Sequence, residues 1–147
     1  MAYNFYGWQN CETVHPLDKK YEIVKNPQVL YDCMTNIWCE YSCAPRLRPN
    51  WSKHNMTLGQ CSITAFLVQD IFGGEVYGIP LPEGGYHCFN NVDGRIFDLA
   101  SEQFGEKAKN LDYVNVIKQD RATHFADQDK YERYQYLWNK LKELYLN

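Results

Sequence analysis

Three residues in this sequence, a cysteine, a histidine and an aspartate, stand where local pattern gives them chemistry. Cys61 opens the apolar run Cys61–Phe72, in which Ile63, Phe66, Leu67 and Ile71 recur at helical spacing. A thiol at a helix start meets the positive end of the macrodipole and the unsatisfied first-turn amides. Both favour thiolate, and the same amides can donate to a developing oxyanion. His87 and Asp98 lie in two strand-like runs on either side of Asp93-Gly94, a two-residue hairpin signal. With that turn, Val92 pairs with Arg95, Phe89 faces Asp98 and His87 faces Ala100. Residues two apart on a strand share a face, so His87 and Asp98 become diagonal neighbours on one face. A one-residue slip would separate them. Together the three residue types supply a nucleophile, a general base and acid, and a carboxylate that fixes the imidazole tautomer. Gln60 could lend an amide to the oxyanion site or cap the helix. Asn55 could play the same part, whereas Asn90 faces away from His87 and reads as structural.

The elements that must hold these residues follow from periodicity. Val29, Leu30, Cys33, Met34, Ile37, Trp38 and Tyr41 mark a first helix over Gln28–Cys43, entered after Pro27. Ala44–Asn55, with Pro45 and Pro49, reads as a surface loop. The second helix is Cys61–Phe72, closed by Gly73-Gly74. The period then changes to two. Strands are expected at Glu75–Ile79, Tyr86–Val92, Arg95–Leu99 and Tyr113–Lys118, with Pro80–Gly85 a turn-rich loop. Asp127–Leu146 closes the chain as a helix striped by Tyr131, Tyr134, Leu137, Trp138, Leu141, Leu144 and Tyr145. An N-terminal helix, a buried Cys-bearing helix, a small antiparallel sheet and a C-terminal helix make an α+β fold. At 147 residues, one domain over 1–147 is expected.

A helix cysteine, then a strand histidine, then an aspartate on the next strand is the order used by transglutaminase-like and papain-like thiol enzymes. The stretch Gly59–Phe104 resembles the YunG-like family of small uncharacterised bacterial proteins. The matching pieces are Gly59-Gln60-Cys61, Thr64-Ala65, Val68-Gln69-Asp70, Phe72-Gly73-Gly74, His87-Cys88-Phe89-Asn90, Asp93-Gly94, Asp98-Leu99 and Gln103-Phe104. Upstream Trp51-Ser52 and the aromatic C-terminal helix also fit. The resemblance implies a minimal cysteine-peptidase-type fold. Cys88 departs from it, because an aromatic residue is expected after the histidine. That substitution sets a second thiol beside the base, on the opposite sheet face.

Composition bounds the remaining possibilities. The chain is 45% apolar, 22% charged and 16% aromatic, which excludes a largely disordered or collagenous chain. Net charge is −3, and the longest basic tract is Lys19-Lys20, so nucleic-acid binding is not expected. No apolar run is long enough to span a membrane. Met1 to Gln9 has neither a basic start nor an apolar h-region, so a cytoplasmic location is expected. Cysteines stand at 11, 33, 39, 43, 61 and 88. With no export signal, they are expected to be reduced thiols. Cys39 and Cys43, with Cys11 or His15, could form a zinc site, but no C-x-x-C pair is present and core packing is the simpler reading. His54 and His124 fall in polar segments and read as solvated. The expected function is therefore cofactor-free acyl transfer, the hydrolysis or transfer of an amide, peptide or thioester. Its partner would be a peptide, a protein or a small acyl substrate. The alternative is a non-catalytic module that binds a peptide or protein on the same scaffold.

Overall fold

A computed structural model describes residues 3–147. The N-terminal reading from Met1 to Gln9 therefore starts on two residues, Met1 and Ala2, that lie outside the described ones. The chain runs through α1 (Pro27–Met34), α2 (Cys61–Phe72), β1 (Glu75–Pro80), β2 (Tyr86–Val92), β3 (Arg95–Phe97), β4 (Ile117–Lys118), α3 (Arg121–Phe125) and α4 (Gln128–Leu141). The four strands form one antiparallel sheet in the order β3-β2-β1-β4. The architecture is α+β, as the sequence pattern predicts.

Helix α2 is the central element. Ile63 to Val68, Ile71 and Phe72 are all buried on it. Each fully buried large apolar side chain stabilises the fold by about 1.5–3 kcal/mol, which outweighs the modest helix propensity of Ile63, Thr64 and Val68. Gly73 ends the helix with φ 85°, and its amide returns to the Gln69 carbonyl at 2.8 Å. One face of the sheet packs on α2, where Asn90 Nδ2 donates to the Ala65 carbonyl at 2.9 Å. The other face carries a smaller cluster of Ile79, Phe89 and Tyr113. Helix α4 docks on α2 through Leu137 and Leu141 and through Asp70. The Asp70 carboxylate accepts from Arg121 at 2.8 Å, from Trp138 Nε1 at 2.9 Å and from the Tyr134 hydroxyl.

The β2–β3 turn matches the sequence register. Asp93 and Gly94 have φ 52° and 86°, and Asn90 pairs with Phe97, Asn91 with Ile96 and Val92 with Arg95. Four expectations are corrected. The first helix does not run from Gln28 to Cys43; it ends at Met34, with Thr35 Oγ1 donating to the Asp32 carbonyl and Ile37 and Trp38 buried on the turns that follow. Ala44–Asn55 is not all loop, since Pro45–Asn50 winds as a 3-10 helix. The strand expected over Tyr113–Lys118 shrinks to Ile117–Lys118, because Asp112 Oδ1 accepts from the amides of Val114 and Asn115 and folds them into a turn. Helix α4 ends as regular α-helix at Leu141, and Lys142–Leu146 continues in a wider π turn. Helical pieces also went unforeseen: α3, the 3-10 stretch Ser101–Asn110, which kinks at Gly105, and the short 3-10 turns Trp8–Asn10 and Lys19–Tyr21. Among the described residues, no helix is long and apolar enough to cross a membrane. Among them too, no three His, Cys, Asp or Glu side chains are grouped to hold a metal ion.

Candidate functional site

Cys61 begins α2, as the apolar pattern predicts. The preceding turn delivers it there. Gly59 has φ 72°, its carbonyl accepts from Ala44 N at 2.9 Å, and a Cβ at this position would lie 2.6 Å from Cys43 Sγ. Only glycine fits. The Gln103 side chain braces the same turn, accepting from Gly59 N at 3.4 Å and donating to the Ala100 carbonyl at 3.0 Å. Cys61 is half-buried and lines an open cleft of ≈1000 Å³ with Tyr86, His87, Phe104, His124 and Lys130. The amides of Cys61 and Ser62 are first-turn donors with no acceptor within the helix.

His87 and Asp98 meet as the register requires. His87 Nε2 lies 2.6 Å from Asp98 Oδ2, and both side chains are 1% exposed. Asp98 sits just past β3, where its amide donates to the Tyr6 carbonyl at 2.9 Å. The expected strand Arg95–Leu99 thus ends two residues early, at Phe97. Two further donors fix the carboxylate. The Tyr113 hydroxyl donates to Oδ2 at 2.6 Å, and Ala100 N donates to Oδ1 at 3.1 Å. Phe104 stands edge-on to the His87 ring, with centroids 4.7 Å apart. Tyr6 stacks on Tyr113 at 3.8 Å, so the N-terminal segment closes over the carboxylate.

With Nε2 held by Asp98, Nδ1 is the His87 nitrogen left for Cys61. The electrostatics favour a thiolate–imidazolium pair. The Cys61 thiol is held well below its usual range, first by a hydrogen bond from the Cys88 thiol and then by the His87 hydrogen bond and charge, against the cost of burial. Burial pushes the His87 pKa down, but the Asp98 charge and hydrogen bond, with Cys61 beyond, lift it to about 10. Cys88 is pushed well above its usual range, first by its hydrogen bond to Cys61 and then by burial. The other buried cysteines, Cys11, Cys33 and Cys43, are raised by burial.

The remaining candidates lie elsewhere. Gln60 is fully buried, makes no side-chain cap, and donates Nε2 to the Cys39 carbonyl at 3.1 Å. It therefore braces the Cys39 turn and does not line the cleft. Asn55 Nδ2 donates to the Gln103 carbonyl at 3.4 Å. His54 is exposed, as expected. His124 is not solvated. Nδ1 sits 2.9 Å from Lys130 Nζ and Nε2 sits 2.7 Å from Gln119 Oε1, on the wall of the cleft. Tyr113, Phe104 and Lys130 are site residues that periodicity alone did not single out. The odd placement of Tyr113 just after Asp112, a turn former, was the one available signal.

Residues 26–145 match the family described as YunG protein, a span that includes Cys61, His87 and Asp98. "Uncharacterized protein YunG" of Bacillus subtilis (strain 168) is 32% identical over 99 residues, covering 62% of this chain and 81% of that relative. No solved structure matches the chain.

Proposed function

The chain belongs to the YunG family, and from that premise we propose that it is a cysteine-dependent acyl-transfer enzyme on a cysteine-peptidase-like scaffold. The observation that carries this reading is the buried 2.6 Å His87–Asp98 contact beside a helix-start thiol in an open cleft. A histidine recruited only for packing needs no carboxylate, and a buried carboxylate is costly unless it has such partners.

The mechanism uses each group once. Cys61 thiolate attacks the acyl carbon of an amide, peptide or thioester, and the carbonyl π electrons move to oxygen. The Cys61 and Ser62 amides face that oxyanion. Imidazolium His87 gives its Nδ1 proton to the departing nitrogen or sulfur as the carbonyl reforms, leaving a Cys61 thioester. Neutral His87 then takes a proton from water or from an acceptor amine, whose attack releases the acyl group and returns the thiolate. Asp98 positions the ring and stabilises its charged form. No metal or organic cofactor enters any step. This chemistry uses the reduced form, in which all six cysteines are free thiols, as a cytoplasmic setting would keep them.

The test is acylation by an activated thioester, read by intact mass and peptide mapping. A transient acyl adduct on Cys61, absent from Cys61→Ala and slowed in His87→Ala, is expected. An adduct that persists unchanged in His87→Ala overturns the reading. No Cys61 adduct at all, with a peptide or protein retained in pull-downs, would favour the binding module.

A further inference from the structure

The proposed acyl chemistry leaves Cys88 without a task, and its position gives it one. Helix α2 and strand β2 run side by side in the same direction. Asn90 reaches Ala65, while Tyr86 presents its carbonyl 4.0 Å from Cys61 Sγ. From Asn90 back to Cys88 is two strand residues, about 6.7 Å. From Ala65 back to Cys61 is four helix residues, about 6 Å. The two steps match, and Cys88 shares the α2-facing side of the sheet with Asn90. Both side chains belong to the one apolar cluster between α2 and the sheet, so the two thiols converge there. Cys61 reaches the cleft, whereas Cys88 is 1% exposed behind it. His87, on the opposite sheet face, lines the same cleft as Cys61.

We infer that Cys61 is a site of reversible oxidation by hydroperoxides, with Cys88 as its resolving thiol. Cys61 thiolate attacks the distal peroxide oxygen and breaks the O–O bond. This gives Cys61 sulfenic acid and an alkoxide or hydroxide, which takes the proton held on His87. Sulfur is oxidised by two electrons and the peroxide is reduced by two. Cys88 sulfur then attacks the sulfenic sulfur. Its proton leaves with the hydroxyl as water, and a Cys61–Cys88 disulfide forms. A dithiol returns both cysteines to the reduced state by exchange. The disulfide occupies the sulfur that acyl transfer would use, so oxidation silences the site and protects Cys61 from irreversible sulfinic acid.

This inference rests on Cys61 being the reactive thiol of the proposed function, yet its readout needs no acyl substrate. The reduced protein is treated with one equivalent of hydrogen peroxide, then analysed by intact mass and non-reducing peptide mapping. The expected result is a loss of about 2 Da, for two hydrogens, in a peptide joining Cys61 to Cys88. Alkylation of Cys61 should disappear and return with dithiothreitol. Cys88→Ser should instead accumulate Cys61 sulfenic acid, trapped by dimedone, and at higher peroxide recover at least about tenfold less alkylation after reduction. Cys88→Ala, checked by circular dichroism, repeats the test should the serine unsettle the core. A disulfide to any other cysteine, or equal recovery in wild type and both folded Cys88 variants, overturns the inference. A Cys61–Cys88 disulfide without any acyl adduct removes the acyl-transfer reading and leaves this one standing. An acyl adduct without the disulfide does the reverse.

Discussion

Replacing Asp98 with Asn keeps the shape of the side chain and removes its charge, which isolates what the carboxylate does for Cys61. The His87–Asp98 contact is 2.6 Å between buried side chains. Two unit charges whose centres lie about 4 Å apart interact by about 4 kcal/mol at an effective dielectric near 20. At about 1.4 kcal/mol per tenfold, the carboxylate accounts for up to roughly 10³ in the population of imidazolium, and with it the Cys61 thiolate paired to it. An ordinary thiol with pKa near 8.5 is only about 0.3% ionised at about pH 6, so a thiolate reverting fully would react about 300-fold more slowly there. The hydrogen bond from Cys88 survives the substitution and offsets part of that loss. The expected fall in Cys61 carboxamidomethylation near pH 6 is therefore about 10²-fold. The assay is a time course with iodoacetamide from about pH 5 to 9, each cysteine read by peptide mass spectrometry. Cys39 serves as an internal reference: burial raises its pKa, but hydrogen bonding with Tyr136 and Ser42 outweighs burial and lowers it. Wild-type Cys61 should react at a nearly flat rate across that range. An Asp98→Asn protein with native circular dichroism whose Cys61 reacts within about threefold of wild type near pH 6 would show that the carboxylate does not govern the thiolate.

Three further outcomes follow from the same contacts. Tyr113→Phe removes one of three donors to Asp98 and should cost about 1–3 kcal/mol in urea-induced unfolding; an unchanged midpoint would mean the hydroxyl carries no net weight. Gly59→Ala, forced into φ 72° with its Cβ 2.6 Å from Cys43 Sγ, should destabilise by more than about 1 kcal/mol and slow Cys61 alkylation together; neutrality in both would show that the turn does not set the thiol. The folded-state pKa of His87, raised to about 10, means that its contribution to stability is fully present below its unfolded value, about 6.5, and is lost as pH rises through about 10. The stability difference between wild type and His87→Gln should thus shrink across that window, and a difference that grows with pH would refute the sign.

How much of this site was legible depended on the range of the interaction that fixes each part. The β2–β3 turn was legible because Asp93-Gly94 demands positive φ at both positions, and the register that joins His87 to Asp98 follows from it. Helix α2 was legible because its apolar face is continuous and Gly73 stops it. The first helix was overrun because Ile37 and Trp38 stay buried at helical spacing although the backbone has left the helix. Periodicity reports which side chains go inside, and two backbones can satisfy the same list. Gln60 looked like an oxyanion donor by adjacency to Cys61, yet its amide serves the Cys39 carbonyl, a partner 21 positions away.

Asp98 shows why the missed partners were invisible. Its three donors come from β2, from the residue two positions on, and from Tyr113 beyond a 3-10 stretch, while Tyr6 caps the arrangement from the far end of the chain. Only the first two lie within reach of strand or turn rules. A buried carboxylate must find such partners or lose its charge, so the sequence already implied that donors exist without naming them. The search for them belongs among polar residues with an apolar body, and in a chain with 12 Tyr that means tyrosine first. By the same reasoning the Tyr6–Tyr113 stack, 45% exposed at Tyr6, is the point through which the N-terminal segment bears on the site. The Tyr6 carbonyl still holds the Asp98 amide in Tyr6→Ala. That variant should therefore leave the fold intact while loosening the Tyr113 hydroxyl, lowering Cys61 reactivity less than Tyr113→Phe does. Equal or greater loss in Tyr6→Ala would place control of the carboxylate in the stack rather than in the hydrogen bond.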